Sequence, residues 1–168
     1  MNRVFIYLFL IISPILAEEM AYQDNIDVEE AMEMFKEGAV IIDVRVPNEF
    51  IHTGHGLGHI NVPVFYETYK PKSLKVRMNF ARMELKNSKG YNSRKLFDSS
   101  IIENKKFVKE VMTIVDSDIE QDIIVICHSG QRSAFAANIL AKKGFDNVYN
   151  LDGGFLSWRD ADYPWSVD

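Results

Sequence analysis

One cysteine, Cys127, stands in the run Ile123-Ile-Val-Ile-Cys127-His-Ser-Gly130-Gln-Arg132-Ser-Ala-Phe135. An apolar strand there hands over to a glycine-containing loop and then to a helix. Successive backbone N–H groups of such a loop converge on the sulfur, and the following helix adds partial positive charge at its N-terminus. Both stabilise a thiolate, lower the thiol pKa and make Cys127 a candidate nucleophile. His128, Ser129, Gly130, Gln131, Arg132 and Ser133 form the candidate binding loop, with Ser133 expected to cap the helix. A solitary cysteine cannot form a disulfide within its own chain, which leaves an inert buried thiol, a bridge between chains or a reactive site. Gly130, Arg132 and Ser133 beside it point to the reactive site.

The elements that must hold this loop are legible around it. Ile123 to Ile126 is apolar on both faces, as is Ala39 to Val44, and such strands belong inside parallel sheets. Between Ser133 and Lys143, alanines, Phe135, Ile139 and Leu140 recur at helical spacing up to Gly144, and a further strand is expected from Asn147 to Leu151. Strand, helix and strand in about 30 residues make a βαβ unit, so the class is α/β. Ligands of such sheets bind beyond the carboxyl ends of the strands, where Cys127 lies. Upstream, Asp27 is placed to cap a helix from Val28 to Glu37, with Glu30 at the capping-box position and Gly38 as the stop. Phe107 to Val115 has helical spacing. Lys70 to Lys95 shows little periodicity beyond a short helix around Phe80 to Leu85.

The chain has 168 residues, 47% of them hydrophobic, and a net charge of −5, which suits one domain with one good core. Its charge is segregated. Tyr66 to Lys109 carries twelve Lys or Arg against four Asp or Glu, whereas the rest carries seven basic and twenty acidic residues. We read about 66–106 as a basic insertion: either a solvated excursion, or an electrostatic landing site for an acidic protein partner, an anionic substrate or an anionic membrane. An acidic chain of this kind is a poor nucleic-acid binder. At the start, Met1-Asn-Arg3 is basic, Val4 to Ile12 is nearly all apolar, and Ser13 to Ala17 precedes Glu18. That order predicts a signal peptide over residues 1–17, export (to a periplasm) and a single mature domain over residues 18–168. The alternatives are an uncleaved membrane anchor and a buried first element.

Four segments in this order resemble the landmarks of a single rhodanese domain: Ile41-Ile-Asp43-Val-Arg45 with Glu49-Phe50; Gly58-His59-Ile60 leading to Pro63; Cys127 to Ser133; and Leu151-Asp-Gly153-Gly154 with Trp158. The resemblance implies an open central parallel sheet flanked by helices on both faces. It also implies a sulfurtransferase whose Cys127 accepts a sulfane sulfur as a persulfide and passes it to a thiophilic acceptor, from a small sulfur donor to cyanide or a thiol. By the same resemblance Arg132 either attracts an anionic donor or braces the loop against a carboxylate. His128 stands where thiosulfate-using members tend to carry a cation, which favours another donor. A cysteine phosphatase or arsenate-reductase-like loop resembles Cys-x5-Arg; here Arg132 is five positions after Cys127, and the shorter ring of N–H groups fits an outer sulfur better than a tetrahedral phosphate. A non-catalytic interaction module on the same fold would have no need of the thiol.

Supporting roles are expected elsewhere. Asp43 and Arg45 are read as a salt bridge between strand end and loop, Gly153 and Gly154 as a tight turn, Trp158 as core and His59 as a loop anchor. His52, His55 and His59 have helix-compatible metal spacing, but glycines interrupt any such helix and no acidic or cysteine ligand lies near in sequence. No metal, no cofactor and a monomer are the expectations.

Overall fold

In the computed structural model, residues 20–87 and 96–167 are described. The expected signal peptide, residues 1–17, lies outside them. The first elements are β1 (Asp24–Ile26), α1 (Val28–Glu37), β2 (Val40–Asp43), α2 (Pro47–Thr53), β3 (His55–Gly56), β4 (Ile60–Asn61) and β5 (Phe65–Pro71). They are followed by α3 (Leu74–Asn87), β6 (Phe97–Glu103), α4 (Phe107–Ile114), β7 (Ile123–Ile126), α5 (Gln131–Ala141), β8 (Val148–Leu151), α6 (Gly154–Asp160) and β9 (Trp165–Ser166).

Five strands form the central sheet in the order β1-β8-β7-β2-β4, with every neighbouring pair parallel. Successive residues of a strand point to opposite faces, and here both faces are apolar. Ile42, Val44, Ile123, Val125 and Cys127 pack with Phe107 and Val111 of α4 and with Ala136, Ala137 and Leu140 of α5. Ile41, Ile124, Ile126 and Leu151 pack on the other face with Val28, Ala31 and Met32 of α1 and with Phe155 and Trp158 of α6. This is an α/β sheet with helices on both faces.

Helix α1 begins and ends for the expected reasons. The Asp27 side chain accepts from the Glu30 amide, and Gly38 closes the helix at φ 109° with its N–H on the Met34 and Phe35 carbonyls. Strand β1 lies just upstream of the Asp27 cap, where the sequence analysis placed no element. It is a short edge strand, and only Ile26 of its three residues is buried.

The basic stretch is where the sequence reading needs most correction. Instead of an irregular segment with a short helix, it is an arm. Strands β5 and β6 form a seven-pair antiparallel ribbon from Phe65↔Glu103 to Pro71↔Phe97, and α3 begins six residues before the expected Phe80. Solvent reaches both ribbon faces, so alternation of apolar and polar residues was never required of its strands. At its base the arm is pinned: the Asn104 amide N–H donates to the Val64 carbonyl and the Asn104 side chain to the Pro63 carbonyl.

Candidate active site

Strand β7 delivers Cys127 to the carboxyl edge of the sheet, where the thiol is 1% exposed. Gly130 then takes φ 97° as the N-cap of α5. This left-handed turn is open to glycine at no steric cost, and it aims the Gly130 N–H at Cys127 Sγ, 3.2 Å away. Ser133 is not the cap but lies in the first helical turn. Its hydroxyl donates to the Gly130 carbonyl at 3.0 Å and to Cys127 Sγ at 3.4 Å. Burial pushes the thiol pKa up, but the Ser133 hydroxyl and the amides of Ser133, Ser129 and Gly130 outweigh it, so the pKa is lowered. The loop therefore favours the thiolate form of Cys127 in a site from which water is largely removed.

Arg132 makes the bracing contact. Its guanidinium grips Glu49 of α2 through both carboxylate oxygens, at 2.5 and 2.8 Å, a fork-to-fork pair. The Glu49 bond raises the Arg132 pKa, while for Glu49 the upward push of burial is outweighed by Arg132. Glu49 is a residue whose role the sequence reading missed. It sits four positions after Arg45, and only the fold brings it to a loop 83 positions away.

Beneath the loop lies a second support. Asp43 and Arg45 are wholly buried and paired. The Arg45 guanidinium also donates to Thr53 Oγ1 and the Gly54 carbonyl and rests on the Phe155 ring, 4.4 Å from its centroid. The backbone N–H of Phe155 donates to the Cys127 carbonyl at 2.8 Å, and that of Leu156 to the His128 carbonyl at 3.2 Å. The first turn of α6 thus hangs the cysteine loop by its own carbonyls. Gly154 makes this approach possible, because a Cβ there would come within 2.7 Å of the Cys127 carbonyl and of the His128 and Ser129 backbone. Its role is close packing against the loop in addition to the expected turn.

The remaining candidates divide cleanly. His128 is half-buried, while Ser129 and Gln131 are exposed at the loop's mouth. Trp158 is 1% exposed and packs on the α1 side. His59 lies under Phe35 and Trp158, with its ring centroid 4.5 Å from that of Trp158. Neither of its ring nitrogens has a hydrogen-bond partner among the described residues. Burial first, then the charges of Arg45 and His55, lower its pKa to about 3, so it is a neutral packing group. His55 instead stacks on Phe50 at 3.9 Å. Among the described residues no three His, Cys, Asp or Glu side chains converge as a metal site would require.

Comparison with known proteins agrees with this geometry. Residues 27–161 match the family described as Rhodanese-like domain. The thiosulfate sulfurtransferase GlpE of Ectopseudomonas mendocina is 30% identical over 140 residues, covering 83% of this chain and 87% of that protein. An uncharacterised protein of Rickettsia prowazekii, RP600, is 34% identical over 80 residues, covering 44% of this chain and 65% of that one. The solution structure of the rhodanese-like domain of the Anabaena protein Alr3790 shares the fold with a TM-score of 0.56 at 17% identity, covering 87% of this chain and 80% of that one. The chain belongs to the rhodanese-like domain family.

Proposed function

We propose that the chain is a sulfurtransferase that carries sulfur as a persulfide on Cys127. The observation that supports this reading best is the buried thiol whose pKa is lowered by the Ser133 hydroxyl and the loop amides. The Cys127 thiolate attacks the sulfane sulfur of a donor. A new S–S bond forms to Cys127, and the donor's S–S bond breaks, its electron pair leaving with the donor remnant as sulfite or a thiolate. A second nucleophile, cyanide or a thiol, then takes the outer sulfur, and the electron pair of the broken bond returns to Cys127. The two half-reactions give ping-pong kinetics. With Arg132 committed to Glu49 and a half-buried histidine at position 128, an organic persulfide or polysulfide suits the loop at least as well as the thiosulfate used in naming the GlpE relatives.

The basic arm supports a further part of the reading, an acidic protein partner drawn to it electrostatically. Export through a cleaved segment 1–17 completes the proposal, and the mass of the mature N-terminus tests it. The function itself is tested by mixing the protein with thiosulfate or glutathione persulfide, adding cyanide and following thiocyanate. Turnover that disappears in Cys127→Ser is expected. Its absence with every donor would overturn the reading.

A further inference from the structure

The arm carries more apolar surface than a solvated excursion needs. On one ribbon face, Phe65, Glu67, Tyr69 and Pro71 stand opposite Glu103, Ile101, Ser99 and Phe97. Diagonal neighbours on a ribbon are within reach of one another, so Phe65, Ile101, Tyr69 and Phe97 form a continuous apolar line. The Tyr69 and Phe97 rings meet at 6.5 Å, and Ile101 is 72% exposed. On α3, Leu74 and Met78 share one face by their spacing and are both exposed, Leu74 by 63%. Exposed Lys70, Lys75, Arg82 and Lys106 accompany these apolar groups, while Lys105 pairs with Glu103. A two-stranded ribbon is marginal on its own in water, and exposed apolar surface rimmed by charge marks interaction sites.

The apolar line does not end at random. Phe65 stacks on Phe135 of α5 at 5.4 Å and 19°. Phe135 is itself 46% exposed and lies two residues beyond Ser133, whose hydroxyl contacts Cys127 Sγ. The line therefore runs from the arm down to the helix that forms the catalytic loop.

We propose that this face of the arm docks an acidic protein that presents the acceptor thiol, and that Phe65 and Phe135 guide that thiol to the sulfur on Cys127. The idea rests on the persulfide reading of Cys127. Charge sets the class of partner: the sequence from Tyr66 to Lys109 holds twelve basic residues against four acidic ones in a chain of net charge −5. Convergence on α5 distinguishes a thiol-bearing protein from a lipid surface, which has no thiol to offer. In the transfer step the partner's thiolate attacks the outer sulfur of Cys127–S–SH. A partner S–S bond forms, the Cys127 S–S bond breaks with its electron pair returning to Cys127 Sγ, and the proton stays on the transferred sulfur.

The test uses the full chain and two cysteine peptides, one rich in Asp, Glu and Leu, the other with the acidic residues replaced by Asn. Persulfide-loaded protein should pass sulfur to the acidic peptide preferentially. The preference should weaken as ionic strength rises to about 0.15 M, where screening acts over ~8 Å. In the triple variant Lys70→Glu, Lys75→Glu, Arg82→Glu, the rate with the acidic peptide divided by the rate with cyanide should fall roughly tenfold to a hundredfold, the scale of electrostatic steering. Ile101→Ser should lower the same ratio without altering its salt dependence. Equal rates with both peptides, or a ratio unchanged by charge reversal, would overturn the proposal. Anisotropy of labelled acidic peptide on Cys127→Ser reads docking without chemistry: binding there with no sulfur uptake by the parent protein would refute the sulfur-transfer reading and spare the surface. Arm-dependent self-association, or binding to phosphatidylglycerol vesicles, with no peptide binding would assign the face to a second copy or to a bilayer and overturn the acidic partner.

Discussion

The cysteine loop and the arm are built on opposite principles. The loop hangs between β7, α5 and α6 over two apolar layers, and nearly every polar group described around it is committed: Arg132 to Glu49, Arg45 to Asp43, the Cys127 and His128 carbonyls to α6. The arm projects seven ribbon pairs and a 14-residue helix with its exposed side chains largely in water. One region turns its amides and the Ser133 hydroxyl onto a single buried sulfur atom. The other leaves apolar and basic groups facing outward.

Substitutions probe this contrast. The largest effect is expected from Trp158→Ala, which empties a 1% exposed site under α6 and should cost about 3–5 kcal/mol in denaturant unfolding. Leu74→Ala on the arm should stay within about 0.5 kcal/mol. Comparable losses at the two positions would mean that the arm packs on the body far more than described here.

Acid should act next, and through the body. His59 has a folded-state pKa of about 3 against ~6.5 unfolded, so below pH ~6.5 the unfolded chain binds a proton that the native one refuses. Stability present above that value is lost as pH falls, by about 1.4 kcal/mol per pH unit between ~6.5 and 3. Thermal unfolding of His59→Leu should lack this slope. Retention of the full slope would assign it to other groups.

Ser133→Ala removes the hydroxyl that offsets burial at Cys127. The pH profile of sulfur uptake should move to higher pH and the neutral-pH rate should drop about tenfold, the kinetic equivalent of one modest charge-assisted hydrogen bond. An unchanged profile would leave the amides alone as the stabilising groups.

Glu49→Gln should be the mildest change in the body. The pair is about one-third exposed on each side, so solvent screening limits the stability loss to about 1 kcal/mol. Glu49 has a lowered pKa, so its contribution is present above the ordinary carboxylate range and disappears as pH falls through the folded value. Wild type and variant should therefore converge in acid, as unfolding midpoints at falling pH will report.

The same contrast explains what the sequence made legible. Strands β2 and β7 are apolar on both faces because both faces are covered, and α1 carries its own cap and stop in Asp27 and Gly38, so these elements could be read from local pattern. The cysteine loop was legible too, since Gly130 and Arg132 flank the thiol at fixed spacing. Glu49 as the partner of Arg132 was not, because the contact spans 83 positions, and neither was the hold of α6 on the loop, which is made by backbone groups that carry no side-chain signal. Ser133 was misread as a cap because Gly130, through its left-handed turn, starts α5 earlier. The arm was opaque for the simplest reason: a ribbon wet on both faces imposes no period on its residues.

Sulfur uptake at Cys127 is the central prediction. Intact mass of the full chain after exposure to glutathione persulfide, polysulfide or thiosulfate measures it directly. One added sulfur atom, lost on cyanide and never gained by Cys127→Ser, is the predicted result; no gain with any of the three donors would contradict it.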